Sequence, residues 1–133
     1  MEFLTDSAER IGEEPFVPSL LSLDLQCLTI LRHSLLAVEP EEGCGLLLGT
    51  GLGTSRLTLL TLWPSCNAWG KTDCELDGAG DRDSRFALDP REQIAAQRWA
   101  RLRGLEVLGV CHSHPNTSPE PSIWDCDWAE PNR

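Results

Sequence analysis

Apolar residues recur at helical spacing early in the chain. Leu25, Leu28, Leu31 (or its neighbour Arg32) and Leu35 form one stripe, which predicts an amphipathic helix over 23–38, ended by Pro40. GCGLLLGTG, residues 43–51, is a short apolar run between glycines and predicts a buried strand. SRLTLLTLWP, residues 55–64, alternates well enough for a second strand, closed by Pro64. The Gly-Thr segment between them predicts a hairpin. Residues 66–85 are polar, with Gly, Asp and Lys, and predict a loop. A helix should then begin at LDPREQIAAQRWARLRG: Asp89 suits the N-cap, Pro90 the first helical position, Glu92 a capping box, and Gly104 the position past the end. LEVLGVCH, residues 105–112, predicts another buried strand, and a last helix is expected from Ile123. The order helix, two strands, helix, strand, short helix predicts an α/β or α+β layer arrangement around a small sheet.

Length and composition narrow the picture. A chain of 133 residues suits one domain with one modest core. Residues 1–19 are acidic and carry Pro15 and Pro18, which reads as a loosely ordered arm before a domain over 20–133. The 21 acidic side chains against 11 basic ones give a net charge of -10. Such a surface repels phosphate backbones and disfavours a nucleic-acid partner. No apolar run approaches a membrane span, and the start MEFLTDSAER has no apolar core of a secretion signal. The expectation is therefore no membrane partner and a cytoplasmic location. Six cysteines without a CxxC pair are expected to be free thiols, with Cys27, Cys44 and Cys111 as small core residues.

The chemistry concentrates in HSHPNTSPEPSIWD, residues 112–125. His112 and His114 stand at i and i+2, so in extended backbone both imidazoles point to one side. Two imidazoles on one side can grip one metal ion, and Asp125 is far enough along to be swung back by the Pro-broken turn as a third ligand. Two histidines and a carboxylate leave one position open, the pattern of a catalytic zinc. Ser122 and Asp125 also read as an ordinary S-x-x-D capping box. The two readings are compatible, because a helix begun at Ser122 holds Asp125 in its first turn. His33, beside Arg32 in the first helix, is expected to be an ordinary surface or core histidine.

These residues resemble a known signature. HSHP followed by Ser122 and Asp125 is similar to the H-S/T-H-P-x(6)-S-x-x-D motif of the JAMM zinc metalloproteases, also called MPN+, Mov34 or JAB. EGCGLLLG, from Glu42 to Gly49, resembles the upstream E-x-C-G-x-L-x-G motif of that family. Asn67 and FALDP, residues 86–90, resemble two further family features, so the likeness covers roughly residues 20–129.

The resemblance implies a cytidine-deaminase-like fold, a central mixed sheet flanked by helices. It implies one zinc ion on His112, His114 and Asp125, Glu42 as the general acid/base, and Ser122 as donor to the oxyanion. Spacing alone does not single out Glu42 from Glu39 and Glu41. The implied reaction is hydrolysis of a peptide or isopeptide bond, after the Gly-Gly tail of a ubiquitin-like or sulfur-carrier protein, as in short prokaryotic members. Trp63, Trp69, Trp124 and Trp128 are candidates to line a tail groove, although core packing suits Trp124 and Trp128 at i, i+4. Family members usually continue with further strands and a helix, whereas Arg133 comes eight residues after Asp125. A C-terminally short domain with an impaired site implies the alternative, a non-catalytic scaffold of the same fold. HSHPNT and the acidity disfavour the DNA-repair branch of the superfamily. A cytidine deaminase would need H-x-E and P-C-x-x-C, which the chain lacks.

Overall fold

The structure, a computed structural model, describes residues 17–70 and 81–129, with side chains through residue 126. Along the chain come β1 (Leu20–Ser22), α1 (Leu25–Leu36), β2 (Cys44–Thr50), β3 (Arg56–Ser65), α2 (Pro90–Leu102), β4 (Glu106–His112) and α3 (Ile123–Ala129). The sheet runs β1-β3-β2-β4 among the described residues. β2 pairs antiparallel with β3 and with β4, and β1 adds parallel to β3, so the sheet is mixed.

The continuous apolar run of β2 follows from its position. It has a strand on each side and helices over both faces, so its residues from Cys44 to Gly49 are all buried. On one face Leu31 and Leu35 of α1 pack against Leu47, Leu57, Leu59, Leu108 and Cys111. On the other, Ala96 and Ala100 of α2 pack against Cys44, Leu46 and Leu48. Successive β2 side chains thus serve opposite cores, as the pleat requires. Two alanines one helical turn apart let α2 lie close to the sheet, and Trp63 meets Trp99 edge-to-face at 6.1 Å beside them. Each fully buried leucine here contributes about 1.5–3 kcal/mol.

Helices and strands form at the expected places, with local differences. β1 was not anticipated; three residues are too few to display an alternation, and only pairing with Arg56, Leu57 and Thr58 defines it. The α1 stripe is split: Leu31 and Leu35 are buried, while Leu25 and Leu28 are exposed. Asp24 caps α1, accepting from the Cys27 amide at 2.7 Å. Asp89 caps α2 as expected, but it accepts from the Arg91 amide and Glu92 closes no capping box. The Asp89 carboxylate is instead shared with the Arg91 guanidinium. The hairpin turn is carried by Gly51 and Gly53, both at positive φ. Cys27, Cys44, Cys66, Cys111 and Cys126 are free thiols. The acidic arm before residue 17, residues 71–80 of the polar loop, and the Trp128 side chain lie outside the described residues. No helix among the described residues is long and apolar enough to cross a membrane.

Candidate metal centre

β4 runs into the site, and its register sets two side chains opposite each other. Cys44 pairs with His112 at the end of the β2–β4 ladder. The pairing continues one step further: the Ser113 amide donates to the Gly43 carbonyl, and the Gly43 amide donates to Ser113 Oγ, both at 2.9 Å. Ser113 Oγ also reaches the Leu35 carbonyl at 3.4 Å, tying this corner to the end of α1. A Cβ at Gly43 would overlap the Leu35 carbonyl, so only glycine lets the chain pass there. Glu42 follows one residue further out, near enough to His114 for the two side chains to interact electrostatically.

The two imidazoles do fall on one side of the chain. Their Nε2 atoms are 2.9 Å apart. His114 Nδ1 lies 2.8 Å from the Ser118 carbonyl, which can only accept. Nδ1 is thus placed to donate to that carbonyl, which turns Nε2 toward His112 and Asp125. Phe86 stacks on the His112 ring at 4.4 Å and 20°, holding its plane. Burial keeps His112 neutral, lowering its pKa below the ordinary value, although the Asp125 charge opposes this.

Asp125 closes the triangle from α3. Its Oδ1 lies 3.1 Å from His112 Nε2 and its Oδ2 3.2 Å from His114 Nε2. The capping box forms as well. Ser122 Oγ accepts from the Asp125 amide at 3.2 Å, and Asp125 Oδ2 accepts from the Ser122 amide at 2.7 Å. One carboxylate both starts a helix and faces two histidines. Burial opposes its ionisation, but the Ser122 amide and hydroxyl and the two imidazoles outweigh burial and hold Asp125 below the usual carboxylate range.

This donor set fits a divalent cation. One ligand atom from each of His112, His114 and Asp125 lies within 4.8 Å of the others, and the three side chains are only 6%, 8% and 9% exposed. Two imidazole nitrogens at 2.9 Å, both facing one carboxylate, form a donor set that a cation at about 2.0–2.1 Å from each would suit.

Glu42 is 6% exposed and carries its charge reluctantly. Burial pushes its pKa up to about 7, with His114 and Arg85 drawing it down and Asp125 raising it. Its backbone is clamped at both polar atoms. The amide donates to the Arg82 carbonyl at 2.7 Å, and the carbonyl accepts from Asn67 Nδ2 at 3.1 Å. Asn67, itself buried, also donates to the Arg85 carbonyl at 2.8 Å and accepts from the amides of Trp69 and Ala87. The loop read only as polar thus carries the hub that fixes Glu42. Neither this hub nor the Ser113 tie has a spacing in the sequence that predicts it; the resemblance alone drew notice to Asn67.

The tryptophans divide. Trp63 belongs to the core beside Trp99. Trp124 is 42% exposed rather than packed inside, and the Arg85 guanidinium sits over its ring at 3.8 Å. The same guanidinium lies 4.9 Å from the Trp69 ring. His33 is exposed and apart from the site.

The sequence model of the family described as prokaryotic homologs of the JAB domain matches residues 25–132. The proteins named deubiquitinase MYSM1 from Homo sapiens and Mus musculus are each 28% identical to this chain over 116 residues. Those matches cover 86% of this chain and 12% of the relatives, so the chain spans about an eighth of their length. The solution structure of protein DSY2949 from Desulfitobacterium hafniense superposes with a TM-score of 0.62 at 30% identity, covering 80% of this chain and 64% of that one.

Proposed function

Because the chain belongs to the family of prokaryotic homologs of the JAB domain, we propose that it is a zinc-dependent peptidase or isopeptidase. The observation that carries this reading is the convergence of His112, His114 and Asp125 beside a buried glutamate. Those three residues would hold one zinc ion. When bound, the ion supplies Lewis acidity at the scissile bond.

The other residues have separable tasks. Glu42, with a pKa near neutrality, takes the proton of the attacking water and returns it to the leaving amine. Ser122 Oγ, anchored by the Asp125 amide, would turn its hydrogen from the Asp125 carboxylate to the substrate oxygen as charge develops. Asn67 and Ser113 are positioning residues: one holds the Glu42 carbonyl, the other fixes Gly43 against β4.

The substrate in this reading is the Gly-Gly tail of a ubiquitin-like or sulfur-carrier protein. Two relatives bear the name deubiquitinase, which supports that class. β4 ends the described sheet order, and an extended tail without side chains can add along such an edge.

The test is zinc content of dialysed protein together with cleavage of Gly-Gly-tailed fusion proteins. About one zinc per chain is expected, on the single-site stoichiometry of such centres. Glu42→Gln should retain the metal and lose cleavage. Metal-free, inactive parent protein would defeat the reading and favour a non-catalytic scaffold.

A further inference from the structure

Arg85 stands apart from the other arginines around the site. Arg82 pairs with Glu41 at 3.7 Å and donates to the Trp69 carbonyl; Arg91 pairs with Asp89. Among the described residues no carboxylate lies within ion-pair distance of Arg85, in a chain of 21 acidic and 11 basic side chains. Its Nη2 is buried and has no hydrogen-bond partner among the described residues. The indoles of Trp69 and Trp124 serve the guanidinium through their rings, 4.9 and 3.8 Å away. Ring contacts do not satisfy an N–H, which needs an acceptor oxygen. A buried donor left unmade is costly, and more so on a charged group.

Its surroundings say where such an oxygen would lie. Trp124 directly precedes Asp125, and Trp69 follows Asn67, whose amide holds both the Glu42 carbonyl and the Arg85 carbonyl. The Arg85 charge reaches Glu42 and draws its proton affinity down. The cation is therefore fixed, from backbone to guanidinium, next to the glutamate and the ligand-bearing helix.

We propose that Arg85 is a specificity-determining residue whose Nη2 donates to an oxygen of the bound substrate chain beside the scissile bond, either a peptide carbonyl or a C-terminal carboxylate. The inference rests on the peptidase reading for the position of that bond. The stack prepays the ordering of a long side chain, so the donor is held before substrate arrives.

The experiment measures binding of acetyl-Gly-Gly and of its C-terminal amide to the zinc-loaded protein by calorimetry. Arg85→Gln should weaken binding about tenfold or more at unchanged zinc content. Arg85→Lys should recover part of the loss, since it keeps the charge without the planar fork. A preference for the acid that disappears in Arg85→Gln identifies a carboxylate as the acceptor; equal weakening of acid and amide identifies a carbonyl. Unchanged affinity in Arg85→Gln overturns the proposal, as does a parent protein that binds neither probe at millimolar concentration. Unchanged affinity with only the pH profile of turnover displaced would mean that Arg85 acts through Glu42 instead. A parent that binds zinc and both probes but cleaves nothing removes the peptidase reading while leaving the Arg85 contact intact.

Discussion

The two sides of the site are built to different standards. His112 ends β4 and Glu42 lies two residues before β2, the strand with a packed layer on each face, and Ser113 ties the two segments together. Ser122 precedes α3 and Asp125 stands in its first turn; that helix is seven residues long, with Ile123 and Trp124 exposed and no described residue in either core cluster. A helix of two turns has little stability by itself. The contacts of its described residues are its own capping box, the two histidines, and Arg85 stacked on Trp124. One side of the triangle is preformed by the sheet, and the other is recruited through its carboxylate. A cation shared by the two would be the strongest tie between them.

Breaking that tie gives the largest expected effect. His114→Ala should take the zinc content from about one per chain to none and abolish cleavage, read by elemental analysis and a fusion-cleavage assay. Stripping the metal with a chelator should speed amide exchange in α3 while leaving β2 protected, which exchange mass spectrometry resolves. Asn67→Ala attacks the sheet side instead. It strips partners from the Glu42 and Arg85 carbonyls and from two amides, and should cost about 3 kcal/mol in denaturant unfolding.

Ser122→Ala separates cap from chemistry on the helix side. It should lower stability by about 1 kcal/mol through the lost cap. It should also lower kcat about a hundredfold through the lost donor, with zinc retained. The smallest effect concerns Glu42 in metal-free protein. Its folded pKa of about 7 lies above the ordinary 4.5, so the folded state holds a proton that the unfolded chain has released. Stability from this group therefore falls as pH rises from about 4.5 to about 7. Glu42→Gln should flatten that fall, raising the melting temperature at about pH 8 and leaving it nearly unchanged at about pH 5.

Legibility followed the range of the interaction. His112 and His114 could be paired from sequence because the i, i+2 geometry of extended chain is local. Ser122 and Asp125 could be read because a capping box spans three residues. α2 was legible from Asp89 and Pro90, and β2 from its glycine-bounded apolar run. Glu42 required the family motif, since its neighbourhood with His114 is made across a strand pair. Asn67 was noticed only through the family resemblance, and its role rests on five backbone groups that gather around it from distant positions. Trp124 shared a helical spacing with Trp128, yet a helix beside the sheet, instead of beneath another layer, leaves its ring accessible to Arg85. Glu92 had the right spacing for a capping box, but the Asp89 carboxylate accepts from Arg91, and Glu92 Oε2 is buried without a partner among the described residues.

The contact between Arg82 Nε and the Trp69 carbonyl, 2.8 Å long, closes a neck between residues 70 and 81. The chain leaves and re-enters through that neck, with Asn67 on one side and the Glu42 amide hydrogen-bonded on the other. For protein engineering, this marks Arg82 as a staple to keep: Arg82→Ala would release the Trp69 carbonyl beside the Asn67 hub, whereas a change at the exposed Asp83 side chain leaves the neck closed.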